Sequence, residues 1–103
     1  MGKRRTPPLT PSDIVAILKA LGFGFKNQEG SHAQYECAAG GGFPRSVVTV
    51  DMHGQEFDDF LMKSMIRQSN RSVEQFYGAT KRSARKASVP FIKVGVSPEP
   101  EAE

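Results

Sequence analysis

The spacing of apolar residues along this chain changes several times, and each change marks an element. Ile14, Ile17, Leu18 and Leu21 recur at helical spacing, which predicts an amphipathic helix. Thr10-Pro11-Ser12-Asp13 supplies its start: Thr10 caps, Pro11 suits the first helical position, and Asp13 completes a capping-box spacing. Gly22 is placed to end it. Phe23 to Gln28 then reads as a strand with Phe23 and Phe25 on one side, and Glu29-Gly30-Ser31 as a tight turn. His32 to Cys37 is the returning strand. Ser31, Ala33, Tyr35 and Cys37 face one way there, and His32, Gln34 and Glu36 the other.

Ala38-Ala39-Gly40-Gly41-Gly42 follows as a loop tip. A glycine run can cradle phosphate when a helix N-terminus comes directly after it, but Phe43-Pro44 comes next, so it reads as a plain hairpin loop. Ser46 to Asp51, with Val47, Val48, Thr49 and Val50 in a row, is the strongest strand pattern. Met52 to Glu56 connects it to a second helix over about Asp58–Gln68, where Leu61, Met65 and Gln68 share a face flanked by Phe57, Phe60 and Ile66. Ser72-Val73-Glu74-Gln75 is another capping box and opens a short final helix carrying Phe76 and Tyr77. The order helix, three strands, helix, short helix predicts an α+β fold: an antiparallel meander with helices packed on one face. After Gly78 the pattern decays. Val89 to Val96 is apolar enough for a weak edge strand, which Pro90 disfavours.

A chain of 103 residues has room for one domain. The pattern divides it into a basic, flexible segment over 1–9, a folded domain over 10–79, and a basic then acidic tail over 80–103. The net charge of +3 is unevenly spread: residues 1–9 carry +3, residues 10–80 carry −2, residues 81–93 carry +5, and the last ten carry −3. Basic flanks point either to an anionic partner such as nucleic acid or to solubility alone. No run is long enough to span a membrane. Lys3, Arg4 and Arg5 are followed by Pro7 and Pro8 where an export signal would place its apolar stretch, so no export signal is read. The one cysteine, Cys37, cannot staple the chain to itself. That fits a reducing compartment, hence a cytoplasmic protein, and argues against a structural zinc site.

His32 is the first candidate for chemistry. It follows the tight turn on the polar face, where a histidine is either an ordinary surface residue or a proton donor and acceptor near neutral pH. Cleaving RNA needs such groups: a base to take the 2′-hydroxyl proton and an acid to protonate the leaving oxygen. His53 either completes an acid–base pair with it, if its loop folds back, or caps the second helix. Two histidines lack a third ligand for a metal at suitable spacing. Lys26, Tyr35 and Arg45 are placed near this surface. Arg67 and Arg71 suit either RNA or the helix dipole at the end of the second helix, and Asp58 and Asp59 suit the dipole at its start. Cys37 is expected to face inward and be inert.

Taken in order, these pieces resemble the HicA (YcfA-like) family of small mRNA interferase toxins over about residues 10–79. The carrying segments are Leu21-Gly22-Phe23, Gly30-Ser31-His32 with Tyr35, Val48-Thr49-Val50 with His53-Gly54, Met65-Ile66-Arg67-Gln68, and Ser72-Val73-Glu74-Gln75-Phe76. Their order and spacing, more than any single piece, carry the likeness. The resemblance implies a fold like a double-stranded-RNA-binding domain. It implies cleavage of mRNA without metal or cofactor, and inhibition by a HicB-like antitoxin. Carried over, His32 is the catalytic acid or base, Gly30 and Ser31 shape the turn that presents it, and His53-Gly54 matches a recurrent pair of open role. The expected substrate surface adds Tyr35, His53, Lys26 and Arg67, together with Lys81, Arg82, Arg85 and Lys86 of the basic segment. Two departures stand out. Glu29 occupies a position that is usually basic, and Asp51 one that is often proline. Both put negative charge where a phosphate should sit. The competing reading is a non-catalytic module of the same fold that binds RNA or a protein partner. A third, a partner-binding module with no RNA role, leaves His32 unexplained.

Overall fold

The structure is a computed structural model that describes residues 7–92. The first helix, α1 (Pro11–Ala20), begins as its sequence predicts. The Thr10 hydroxyl accepts from Asp13 N and the Asp13 carboxylate accepts from Thr10 N, each at 3.2 Å, a reciprocal cap that contributes about 1 kcal/mol. Ile14, Ile17 and Leu18 are fully buried along one stripe. The helix stops because Gly22 adopts φ +101°, a conformation that costs a side-chain-bearing residue. Gly22 N then donates to the Lys19 carbonyl and Phe23 N to the Leu18 carbonyl, the paired closing bonds of a Schellman motif.

Phe23 thus ends the helix instead of starting the strand. It is buried, whereas Phe25 is 59% exposed and only leans edge-on against Tyr35, with ring centroids 5.8 Å apart. Three antiparallel strands follow in sheet order: β1 (Gly24–Glu29), β2 (His32–Cys37) and β3 (Ser46–Asp51). Their alternation buries Ala33, Tyr35, Val48 and Val50 on the core face, leaving His32, Gln34, Thr49 and Asp51 on the other. The register of β1 slips between Phe25 and Asn27, at Lys26.

The second helix, α2 (Asp59–Ser69), starts where the Asp58 carboxylate accepts from Leu61 N at 2.9 Å. Its core stripe is Met62, Met65, Ile66 and Ser69, not the expected face of Leu61, Met65 and Gln68. The helix packs beside β3, so its inward direction is set by the strand it meets. Leu61 and Gln68 fall on its exposed flank, and Phe60 is 74% exposed. At the helix's end Asn70 Nδ2 donates to Ser46 Oγ at 2.7 Å, tying α2 to the start of β3.

The short helix α3 (Val73–Gly78) carries the predicted Ser72–Gln75 capping box, and Phe76 and Tyr77 are fully buried. The expectation of an irregular basic tail from residue 80 is corrected beyond it. Residues Lys81–Ala87 form a helix, α4, capped by Thr80. Ser83 and Ala84 are buried, and Ser83 Oγ donates to the Tyr77 carbonyl at 2.6 Å. The four cations conceal this helix in the sequence, because its packing face consists of small residues. No strand forms over the described part of 89–96; Ile92 N instead donates to Gly78 O at 2.7 Å, and residues 93–96 lie outside the described residues, as do Lys3, Arg4 and Arg5. The whole is an α+β arrangement of the double-stranded-RNA-binding-domain kind, a helix, a three-stranded antiparallel sheet and further helices. Among the described residues no helix is long and apolar enough to cross a membrane.

Candidate active site

The β1–β2 turn is built to a single geometry. Only Gly30 and Ser31 separate the paired residues Glu29 and His32, and of the two only Gly30 has positive φ, at +59°. Glycine in the first central position is the mark of a type II′ hairpin turn, whose twist matches that of its strands. Gln28 Nε2 donates to the Gly30 carbonyl at 2.9 Å and braces the turn. Met52 N reaches the Ser31 carbonyl at 2.7 Å, extending the β2–β3 ladder one step past His32. The next pair, His32 and Asp51, is therefore a non-hydrogen-bonded pair, in which facing side chains come closest. His32 is exposed, with Glu29 paired to it on one strand and Asp51 on the other.

Asp51 is held in place. Its carboxylate accepts from His53 N at 3.0 Å and from the Ser31 hydroxyl. The His53 N–H, then the Ser31 hydroxyl, and then the neighbouring imidazoles of His32 and His53 hold its carboxyl below the ordinary aspartate range. The fold thus brings Ser31, His32, Asp51 and His53 around one carboxylate.

A groove of about 220 Å³ opens beside His32. His32, Thr49 and Asp51 line its sheet side, Leu61, Ser64 and Gln68 its α2 side, and buried Phe57 and Met65 complete it. Leu61, Ser64, Met65 and Gln68 recur at helical spacing, so α2 carries a second stripe beside its core stripe. The sequence matches the family described as HicA toxin of bacterial toxin–antitoxin over residues 11–70. The chain belongs to the HicA toxin family. No curated protein matches it.

Other residues expected at the HicA site lie elsewhere. Tyr35 is buried on the opposite face of the sheet from His32, so it is a core residue and not part of this surface. Lys26 sits exposed at the β1 irregularity, and Arg67 is exposed in the last turn of α2; neither lines the groove. Arg45 pairs with Glu36 toward the far end of the sheet. The Arg71 guanidinium stacks on Phe43, 3.7 Å from the ring centroid, and beside Phe23. It lines a second cavity of about 520 Å³ with Leu21, Cys37 and Gln75, remote from His32.

The basic helix is likewise partly engaged. Arg82 Nε bonds Asp13 at 2.8 Å, Lys86 Nζ reaches the Pro8 carbonyl at 3.4 Å, and Lys81 lies over Phe91. Among the described residues no three His, Cys, Asp or Glu side chains converge as metal ligands would. Gln68, Ser64 and Leu61 are groove residues that sequence reasoning missed, although the helical spacing of 61, 64, 65 and 68 carried the signal.

Proposed function

We propose that this chain is the toxin of a type II toxin–antitoxin pair and an endoribonuclease that cleaves mRNA without a metal, with His32 as its general acid or base. The observation that supports this reading is the placement of His32: exposed, at the end of a braced type II′ turn, and at the mouth of a groove. In the reaction the RNA 2′-oxygen bonds to phosphorus and the bond from phosphorus to the 5′-oxygen breaks. A base takes the 2′-hydroxyl proton and an acid returns one to the leaving 5′-oxygen. His32 supplies one of these roles. His53, whose backbone N–H is tied to the Asp51 carboxylate that His32 faces, is the candidate for the other.

In the same proposal Gly30 and Ser31 set the position of His32, and Lys26, Arg67, Lys81 and Arg85 contact RNA phosphates, which position a strand without reading its sequence. Arg82 and Lys86 join them only at the expense of the bonds they already make. A HicB-like antitoxin is the inhibiting partner, and the cytoplasm, where mRNA is found, is the site of action.

The second reading, a non-catalytic RNA- or partner-binding module, is favoured by one observation. Glu29 and Asp51 flank His32 and oppose the approach of a phosphate. The deciding experiment is cleavage of mRNA in the presence of a chelator by the wild type and by His32→Ala. The toxin reading expects cleavage by the first and none by the second, with thermal stability within about 0.5 kcal/mol because His32 is a surface residue. RNA binding without cleavage by the wild type would establish the module reading instead.

A further inference from the structure

Gln68 holds its carboxamide in one sense. Its Oε1 accepts the Thr49 N–H at 3.0 Å. A backbone N–H can only donate, so the amide oxygen must face β3 and the Nε2 group must face away from that bond. The same side chain lines the groove that holds His32. Gln68 Nε2 is therefore an N–H donor of fixed orientation on a side chain that lines the groove. Asp51, across from it, offers only acceptor oxygens, and these already receive His53 N–H and the Ser31 hydroxyl.

The groove's size and walls limit what fits. At about 220 Å³ it lies below the roughly 300–1,000 Å³ that enclose a drug-sized ligand. It has room for one heterocycle. Leu61, Phe57 and Met65 give that ring apolar contact, while Gln68 and Ser64 supply hydrogen bonds along its edge. His32 stands at the same opening, so a base seated here would bring its own phosphate to the imidazole.

We propose that this groove seats a single RNA nucleobase beside the scissile phosphate, and that Gln68 Nε2 donates to a carbonyl oxygen of that base. The inference rests on the RNA-cleaving reading of His32 and adds a specificity-determining residue to it. Uracil, cytosine and guanine carry a carbonyl oxygen for this donor. Adenine has no carbonyl oxygen: a donor aimed at an exocyclic oxygen meets its amino group, and adenine can accept the bond only through a ring nitrogen, in a different seating. One neutral hydrogen bond corresponds to a preference of roughly two- to ten-fold.

The test uses the full chain and short oligonucleotides of uridine and of adenosine with 2′-O-methyl groups, which bind but cannot be cleaved. Dissociation constants are measured at low salt for the wild type and for Gln68→Glu. This substitution keeps an acceptor for Thr49 N–H and removes the donor. Its added negative charge weakens both oligonucleotides alike, so the readout is the ratio of the two constants. The wild type should favour the uridine oligonucleotide, and the variant should lose roughly two- to ten-fold of that ratio. An unchanged ratio, with the Thr49 amide still protected from hydrogen exchange, overturns the inference. A measurement on the wild type alone guards against a misfolded variant: the Gln68 side-chain amide resonances should shift with the uridine oligonucleotide and stay with the adenosine one. Binding of both oligonucleotides without a Gln68 response overturns the inference and leaves the RNA reading standing. Binding of neither overturns both.

Discussion

Arg82 Nε lies 2.8 Å from Asp13 Oδ1 and joins the last described helix to the first turn of α1 across 69 residues of sequence. Asp13 is 8% exposed while the Arg82 side chain is 74% exposed. The aspartate is thus a fixed anchor at which three donors converge: the Thr10 N–H, the Thr10 hydroxyl and Arg82. Burial alone would raise the Asp13 pKa, but these donors outweigh it and hold the carboxyl below its ordinary value of 3.8. The ion pair, half in solvent, contributes at most a few tenths of a kcal/mol by itself. The helix cap stabilises the fold more than the ion pair does.

Asp13→Ala should therefore destabilise the fold by about 1 kcal/mol, through loss of the carboxylate that accepts from Thr10 N and Arg82, while the bond from the residue-13 N–H to the Thr10 hydroxyl remains. In a domain of this size that lowers the melting temperature by roughly 4–8 °C per kcal/mol. The effect should depend on pH with a definite sign. Because the folded carboxyl has a depressed pKa, its ionised form stabilises the fold above the unfolded value near 3.8, and that contribution is lost as pH falls below it. Thermal unfolding of wild type and variant at neutral pH and below pH 3.8 tests this, and a gap that does not narrow on acidification counts against it.

Helix α4 should be part of the folded unit. Ala84→Asp places a charge at a site 3% exposed and should cost at least about 2 kcal/mol. Ending the chain at Thr80 removes Ser83, Ala84 and Arg82 together and should also destabilise it. Urea unfolding reports both. A chain ending at Thr80 with wild-type stability would return the basic segment to the role of an appended tail.

Gly30→Ala probes the turn apart from the chemistry. Nothing lies within 4 Å of a Cβ added there, so only the φ of +59° resists it. The strain is about 1–2 kcal/mol, and a turn that relaxes to avoid it moves His32. RNA cleavage should fall by a larger factor than stability accounts for. Equal loss of both, or none, would mean the turn does not position the imidazole.

Glu29→Lys tests the acidic flank of His32. Removing one negative charge and adding a positive one beside the proposed phosphate path should tighten RNA binding several-fold at low salt, with the gain fading as the Debye length falls from about 30 Å at 0.01 M to about 8 Å at 0.15 M salt. Affinity measured across that salt range is the check, and an unchanged affinity at low salt would show that RNA does not pass this turn.

Much of this architecture was legible in the chain because it is specified locally. Capping boxes at Thr10 and Ser72, the stop at Gly22, and strands His32–Cys37 and Ser46–Asp51 rest on interactions a few residues long. The Gly30-Ser31-His32 turn was legible for the same reason. The exposure of Phe25 was less so, since burial on the edge strand β1 depends on where the helices stop covering it.

The sequence by itself determined the element order, the antiparallel meander and the turn that carries His32, because periodicity and backbone propensity act through neighbours. Tertiary structure alone decided the rest. The direction in which α2 faces came from its packing on β3, which turned Gln68 and Leu61 toward the groove and away from the core. Helix α4 came from the fit of Ser83 and Ala84 beneath a run of cations whose composition reads as a tail. Asp51 came to face His32 because register across two strands is set by the whole sheet, and no local signal along one strand records which residue will stand opposite.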